Sequence, residues 1–326
     1  MRPLSIFFTF LMNVAIAGYC HAQQNVLFSQ YMFNMLYINP AYAGYKEMTN
    51  LHCAYRRQWL DFPGAPKTMS IAVDGAVNNR RVGLALQVVN DNIGVTNTTS
   101  VYANYSYRIP LDSGTKRLCF GIGAGGYLAS VNADKLTTLS TNDPAIAGLR
   151  GVSMFPDARF GVFYHTDKFY VGCSADRLIS SFLGEVNNDA KNYLNLNVNW
   201  YLSGGYLFDL SDELALKSTF LLKDDITGPS NIDMGLNIYV DKVVSLGMLY
   251  RTAIKIYNKP DLQKDLTQTS SIIGLIELSL GDMFKVGYSY DHTTNSVLLI
   301  KYPTHEVSLR YFFPEHKKHT TRPDAF

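Results

Sequence analysis

Strict two-residue alternation is the pattern that most constrains what this chain can fold into. Residues 231–240 alternate between mainly apolar and mainly polar side chains, the apolar members being Ile232, Met234, Leu236, Ile238 and Val240. Successive side chains on a β-strand point to opposite faces, so such a segment has one apolar and one polar face. Similar alternation recurs in 101–109, 194–203 and 306–313. The pattern predicts an all-β protein.

The connections between the predicted strands favour a membrane barrel over a soluble sandwich. The predicted strands are 50–59, 67–76, 81–90, 97–109, 116–131, 156–165, 168–175, 193–208, 213–223, 231–240, 243–252, 271–280, 283–291 and 305–313. Counted from the N-terminus, every even-numbered connection between predicted strands is short, such as 166–167. Every odd-numbered connection is at least as long as the even-numbered ones, such as 132–155. Outer-membrane barrels have tight periplasmic turns and longer extracellular loops. We therefore expect a transmembrane antiparallel β-barrel of about 14 strands in the outer membrane, with both termini periplasmic.

The first 22 residues are typical of an export signal. Arg2 precedes an apolar run at 4–17 that is too short to span a bilayer, and Ala22 ends the expected cleavage site. The mature chain would then begin at Gln23. Its expected parts are an N-terminal aromatic segment at 23–48, the β-barrel at 49–313 and a basic C-terminal tail at 314–326.

Composition and motifs argue against several classes of function. The 29 basic and 27 acidic residues nearly balance, which is unlike a nucleic-acid-binding protein. The 22 tyrosines and 18 phenylalanines suit the aromatic girdles of a membrane barrel. No G-x-S-x-G, H-E-x-x-H or C-x-x-C motif occurs in the sequence. We therefore expect no enzyme activity, no catalytic residue, no cofactor and no metal site.

One glycine-rich segment, 121–126 (GIGAGG), matches the spacing of a dinucleotide-binding motif. That motif needs a helix that begins at the glycines, within a βαβ unit. Here the glycines lie inside a predicted strand. Glycine within a barrel strand more often marks a bend or the close approach of another backbone, and we adopt that interpretation.

The segment before the first strand is rich in aromatic residues. Residues 28–44 read FSQYMFNMLYINPAYAG. So many exposed rings would promote association, so the segment is expected to pack in the lumen or against the periplasmic rim. Asn34 and Asn39 are expected to form hydrogen bonds with barrel groups.

A second unusual block, 55–68 (YRRQWLDFPGAPKT), follows within and after the first predicted strand. Pro63, followed by glycine, and Pro66 predict a rigid turn. Such a turn would present Trp59 and Phe62 in a fixed geometry.

Together these two blocks resemble the PorP/SprF family of type IX secretion system-associated outer-membrane proteins. The resemblance covers 28–68, through FSQYMFN, INPAYAG, YRRQW and FPGAPKT in that order. It implies a non-enzymatic barrel of the secretion and gliding machinery that docks, or helps to export and anchor, a secreted surface protein. The implied partners are that surface protein, periplasmic type IX secretion components and outer-membrane lipid. The residues expected to bind a partner are Tyr31, Phe33, Asn34, Asn39, Tyr42, Arg56, Trp59, Phe62, Pro63 and Lys67.

Two alternatives stay open at this point. The first is a passive, porin-like solute channel, because barrels of this size lie between small filled barrels and wide porins. Polar residues that would line such a channel are Asn104, Arg108, Asn195, Asn197, Asn199, Asp233 and Asn237. The second concerns the basic tail, which is either a solvated terminus or a docking site for a periplasmic partner. Its basic residues are His316, Lys317, Lys318, His319 and Arg322.

Overall fold

The computed structural model describes residues 26, 28–112, 115–132, 152–186, 197–259, 270–294 and 301–314. The expected export signal at 1–22 and nearly all of the basic tail lie outside these residues. The described chain forms one closed antiparallel barrel of fourteen strands, in which the first strand pairs with the last. The predicted fold and strand number are confirmed.

Most strand bounds follow the predicted ones closely, but the sixth strand begins earlier than predicted and the eighth begins later. They are β1 Asn50–Arg57, β2 Lys67–Val77, β3 Val82–Ile93, β4 Thr96–Pro110, β5 Arg117–Val131, β6 Val152–His165, β7 Phe169–Asp176, β8 Asn199–Asp209, β9 Leu214–Asp224, β10 Ser230–Val240, β11 Val244–Ile254, β12 Ser271–Leu280, β13 Phe284–Thr293 and β14 Thr304–Phe312. One short helix, α1, covers Ser180–Val186. No helix in the described part of the chain is long and apolar enough to cross a membrane. Of the predicted eighth strand, residues 193–196 lie outside the described residues, and the prediction is wrong for 197–198, which precede β8.

The two faces of the barrel wall differ in chemistry, as the alternation predicts. On β10, Met234, Leu236 and Ile238 point outwards and are about half exposed, whereas Asp233 and Asn237 point inwards and are buried. The outer face is therefore a broad apolar surface, which lipid covers in a membrane. This arrangement is that of a transmembrane β-barrel.

The two rims of the barrel differ in their connections. One rim, here called the short-turn rim, carries the turns at 78–81, 111–116, 166–168, 210–213, 241–243 and 281–283, with the start of β1 and the end of β14. The opposite rim, here called the long-loop rim, carries 58–66, 94–95, 132–151, 177–198, 225–229, 255–270 and 294–303. The third connection, between β3 and β4, contradicts the prediction that every odd-numbered connection is at least as long as the even-numbered ones. It is only 94–95, shorter than its neighbours, because β3 and β4 pair out to Ile93 and Thr96.

Gly121 shows why the GIGAGG segment begins with a glycine. The whole segment lies within β5, with no helix following it there. A Cβ atom on Gly121 would collide with the backbone of Pro40 and Ala41. The missing side chain lets the N-terminal segment pack directly on the wall. The close-approach interpretation is confirmed.

Candidate functional site

The N-terminal aromatic segment fills the middle of the barrel lumen. Every residue of 28–46 is buried, and we name this segment the plug. Its side chains and those of the inner wall form one continuous hydrophobic cluster. Within it Tyr42 stacks on Tyr45, with ring centroids 4.9 Å apart, and meets the edge of Phe163 at 5.8 Å. The predicted packing of this segment in the lumen is confirmed.

The plug consists of three single 3-10 turns in succession, Tyr31–Phe33, Met35–Tyr37 and Pro40–Tyr42. Asparagine caps the second and third turns: Asn34 Oδ1 accepts a hydrogen bond from Leu36 N at 3.1 Å, and Asn39 Oδ1 accepts one from Ala41 N at 2.9 Å. Turns this short leave backbone carbonyls without partners inside the turn. The wall has to supply those partners.

Basic side chains of the wall donate to the plug carbonyls. Each of four cations comes from a different strand and reaches a different carbonyl. The pairs are Arg251 with Phe28, Lys217 with Met32, Arg310 with Phe33, and Arg159 with Tyr37. Hydrogen bonds from charged donors are stronger than neutral ones, so the plug is held by its backbone as well as by its rings.

A buried ion cluster holds the first residues of the plug near the long-loop rim. Glu306 accepts hydrogen bonds from the backbone N–H groups of Ser29 and Gln30 at 2.8 and 3.1 Å. Arg56 donates to Ser29 Oγ at 2.7 Å, to Glu306 Oε2 at 3.0 Å and to Asp291 Oδ2 at 2.8 Å. We name these five residues the latch. Removing any one charge would leave the others buried without full compensation.

The other end of the plug is fixed to the wall near the short-turn rim. Gly44 N donates to Asp74 Oδ2 at 3.1 Å, and Asn39 Nδ2 donates to the carbonyl of Val162 at 3.0 Å. The expected hydrogen bond between Asn39 and the barrel is therefore confirmed. The expectation for Asn34 is wrong, because its side chain caps a turn of the plug itself.

The plug crosses the lumen from one rim towards the other. The latch residues Arg56 and Glu306 stand beside the long-loop rim, whereas Asp74 stands beside the short-turn rim. A cavity of about 100 Å³ lies on the long-loop side of the plug, and one of about 500 Å³ opens at the short-turn rim. The first described residue, Val26, lines the smaller cavity. The N-terminal end of the described chain thus lies on the long-loop side, opposite the end of β14.

The residues expected to bind a partner divide into two groups. Those buried in the lumen, at most 4% exposed, are Tyr31, Phe33, Asn34, Asn39, Tyr42 and Arg56. Those at the long-loop rim, in the connection 58–66 and at the start of β2, are Trp59, Phe62, Pro63 and Lys67. In the second group Trp59 is half-buried and the others are exposed. The first group contacts the barrel itself, so only the second group presents a surface to other molecules in this structure.

The connection 58–66 has a constrained backbone. Trp59 and Asp61 adopt φ values of +46° and +69°. Such values are uncommon for residues other than glycine and persist where the surroundings enforce them. The enforcing contacts here are Leu60 N with Pro303 O at 2.8 Å and Gly94 N with Gly64 O at 2.9 Å. The predicted rigid turn is therefore tied to both neighbouring connections.

An aromatic group forms the tip of this rim. The Phe62 ring meets the Trp59 ring at a centroid distance of 6.3 Å and the Tyr302 ring at 5.3 Å, both edge to face. Phe62 is 42% exposed. We name these three residues the rim cluster. Edge-to-face pairs fix ring orientation, so the cluster presents an ordered apolar surface.

Several residues of the site do not stand out in the sequence. Tyr302 lies far from the 55–68 block, and no local pattern links the two. Asp291 and Glu306 carry a weaker signal, because each falls on the polar, inward-facing side of an alternating strand. In the described part of the chain, no His, Cys, Asp or Glu side chains are grouped so as to hold a metal ion.

The geometry defines a class of protein: a transmembrane β-barrel whose lumen is filled by its own N-terminal segment. A family model described as "Type IX secretion system membrane protein PorP/SprF" matches residues 20–311. The chain therefore belongs to the PorP/SprF family. The earlier resemblance, which covered only 28–68, extends over nearly the whole barrel.

Comparison with solved structures gave similar membrane barrels, one of them with a TM-score above 0.5. The CymD monoaromatic hydrocarbon channel has a TM-score of 0.54 at 12% identity, covering 89% of this chain and 94% of that chain. The KdgM porin gives 0.37 at 11% identity, with 81% and 99% covered, and a Pseudomonas aeruginosa FadL homologue gives 0.42 at 11% identity, with 81% and 89% covered. At such identities the similarity to CymD concerns the fold alone. Comparison with curated protein sequences gave no match.

Proposed function

We propose that this chain is an outer-membrane barrel of the type IX secretion system that docks a secreted surface protein, or a component of the machinery, at its long-loop rim. The observation that carries the proposal is a filled lumen beside a rigid, exposed aromatic cluster at that rim. A filled lumen offers no path to a solute. Ordered aromatic residues are enriched in the centres of protein–protein interfaces. In this proposal the chain acts without catalysis or cofactor, and any role in gliding follows from the protein it anchors.

The proposed orientation places the short-turn rim in the periplasm and the long-loop rim outside the cell. It is supported by the length difference between the two sets of connections, which is typical of outer-membrane barrels. An export signal cleaved after Ala22 would deliver the chain to the periplasm. The basic tail would then leave the barrel on the periplasmic side, within reach of periplasmic secretion components.

Surface display in a deletion strain tests the docking function. The strain is complemented with the full-length chain or with Phe62→Ala, which removes the exposed ring of the rim cluster. We expect the deletion to abolish surface display of a specific secreted protein, the full-length chain to restore it, and Phe62→Ala to restore it poorly at equal barrel levels. Leu210→Ala is the matched control, because Leu210 is 60% exposed but lies at the opposite rim. Unchanged display of every surface protein in the deletion strain would contradict the proposal.

Conductance separates docking from the passive-channel alternative. Purified full-length protein is inserted into planar bilayers, and single-channel currents are recorded. We expect no steady conductance, because residues 28–46 occupy the lumen. Steady large openings of the full-length protein would support a solute channel instead.

A further inference from the structure

The larger cavity, at the short-turn rim, has an apolar floor and a charged edge. Leu207, Ala215 and Phe312 form part of the floor. The charged residues that line the cavity are Asp209, Asp212, Glu213, Asp282, Lys242 and Lys285. Acidic groups therefore outnumber basic ones around an opening of about 500 Å³. Such a site favours a polypeptide segment that carries positive charge.

Two of these carboxylates belong to one ordered turn. Asp212 and Glu213 are exposed and lie between β8 and β9. Ser211 Oγ accepts hydrogen bonds from the backbone N–H groups of Glu213 at 3.3 Å and Leu214 at 3.0 Å, which orders the turn. Asp209 differs, because it already pairs with Lys168 at 2.7 Å. Asp212 and Glu213 therefore contribute to the negative potential at the cavity edge, together with Asp282 in the turn 281–283.

The chain itself supplies a basic segment next to this cavity. β14 ends at Phe312, which lines the cavity, and Phe313 N donates to Thr49 O at 2.9 Å, which fixes where the chain leaves the wall. The sequence at 316–322 is HKKHTTR, with three permanent cations and no acidic residue. The described chain ends at residue 314, two positions before this segment, and four extended residues reach about 13 Å.

We propose that residues 316–322 dock in the cavity at the short-turn rim, with their cations against the carboxylates of Asp212 and Glu213. Tethering favours this occupant over a free peptide, because a short linker gives an effective concentration in the millimolar range. This inference concerns the rim opposite the rim cluster and does not depend on docking of a surface protein there.

Limited trypsin digestion of the full-length barrel in detergent tests the contact. Trypsin cleaves after Lys317 and Lys318, and mass spectrometry follows the released C-terminal peptide. We expect cleavage about fivefold faster in the double variant Asp212→Asn/Glu213→Gln, since exposed ion pairs contribute modestly. Wild-type cleavage should accelerate similarly at about 1 M salt, where the screening length falls to about 3 Å. Asp167→Asn, in another turn of the same rim and not lining the cavity, should cleave like wild type.

A photocrosslink identifies the occupant directly. A benzophenone amino acid replaces Leu214, which lines the cavity, or Leu111, an exposed leucine in a different turn of the same rim. We expect the probe at position 214, and not at 111, to link to a peptide from 315–326 of the same molecule. Equal trypsin rates in all variants, or no crosslink to the tail from position 214, would overturn the proposal. A crosslinked dimer would also overturn it, because the occupant would then be the tail of a second copy.

Discussion

Arg56 shows how much of the latch depends on one side chain. Its guanidinium lies within 3.0 Å of the carboxylates of Asp291 and Glu306 and of the Ser29 hydroxyl, and all four residues are buried. A planar guanidinium can serve several acceptors at once, which an ammonium group cannot do with the same geometry. Glu306 has a second role, because it also accepts hydrogen bonds from the backbone N–H groups of Ser29 and Gln30 at the start of the plug.

Replacing this arginine tests the role of the latch. Arg56→Met should lower the free energy of unfolding by about 3–5 kcal/mol, because two buried carboxylates lose their cation. Arg57→Met is the control: Arg57 is half-exposed and pairs with exposed Asp61 at 3.7 Å, so its loss should cost about 0–1 kcal/mol. Heat-dependent mobility of the folded barrel on a gel measures both. Equal midpoints for the two variants would argue against a structural latch.

Gly121 provides a test of the contact between the plug and the wall. Gly121→Ala should displace the third turn of the plug, because the added methyl meets the backbone of Pro40 and Ala41. The expected loss is about 1–3 kcal/mol, as for overpacking elsewhere. Gly274→Ala is the matched control, since a Cβ atom there has no neighbour within 4 Å. Chymotrypsin cleavage of the plug should accelerate in the first variant and not in the second; identical cleavage would contradict the close-approach role.

The strands could be predicted from the sequence, whereas the path of the plug could not. A membrane strand repeats its chemistry every two residues, so β10 can be recognised from ten consecutive positions. The plug has no such period, because its 3-10 turns are only three residues long. Its contacts are also remote in sequence: Ser29 and Glu306 lie 277 positions apart. The aromatic content predicted that the segment packs, but only the structure shows which residues of the barrel wall it contacts.

The dependence of strand prediction on apolar alternation also explains why the connection between β3 and β4 was predicted to be too long. The residues at 90–99 read NDNIGVTNTT and are largely polar on both faces. The ends of β3 and β4 therefore lack the apolar alternation that marks a strand inside a bilayer. They pair nonetheless, out to a two-residue connection at 94–95, because hydrogen bonds of the ladder do not require an apolar face.

Removing the plug tests whether it closes and stabilises the barrel. Deleting 23–45 should leave a barrel that conducts steadily in planar bilayers, unlike the full-length protein. It should also be less stable by several kcal/mol, since burial of rings such as Tyr31, Phe33 and Tyr42 contributes about 25 cal/mol per Å² of apolar area. Heat-dependent gel mobility and single-channel recording measure the two effects. A deletion variant that is as silent and as stable as the full chain would show that the segment does not fill the lumen in the membrane.

In the whole barrel, the latch and the rim cluster belong to the same part of the wall. β1 carries Arg56 and leads directly into 58–66, while β14 carries Glu306 and begins just after Tyr302 and Pro303. The two connections are joined by the hydrogen bond between Leu60 and Pro303. The start of the plug is therefore anchored directly beneath the surface proposed to receive a partner.

The path of the plug also determines where the ends of the chain should be found. Both ends of the barrel lie at the short-turn rim, and counting strands alone places both termini in the periplasm. The plug, however, has already crossed the lumen before β1 begins, so Val26 lies on the long-loop side while Phe312 lies at the short-turn rim. With the long-loop rim outside the cell, the mature N-terminus should face outwards and the C-terminal end inwards.

Epitope tags on cells carrying the full-length chain test this arrangement. A tag inserted between the expected cleavage site and Val26 should bind antibody on intact cells, because the segment before the plug leads towards the outer mouth. A tag placed after Phe326 should bind only after the outer membrane is permeabilised. Surface display of the partner protein in each strain serves as the control that the tagged barrels function. If both tags need permeabilisation, the N-terminal segment does not open to the outside. If only the C-terminal tag is reached on intact cells, the proposed orientation is reversed.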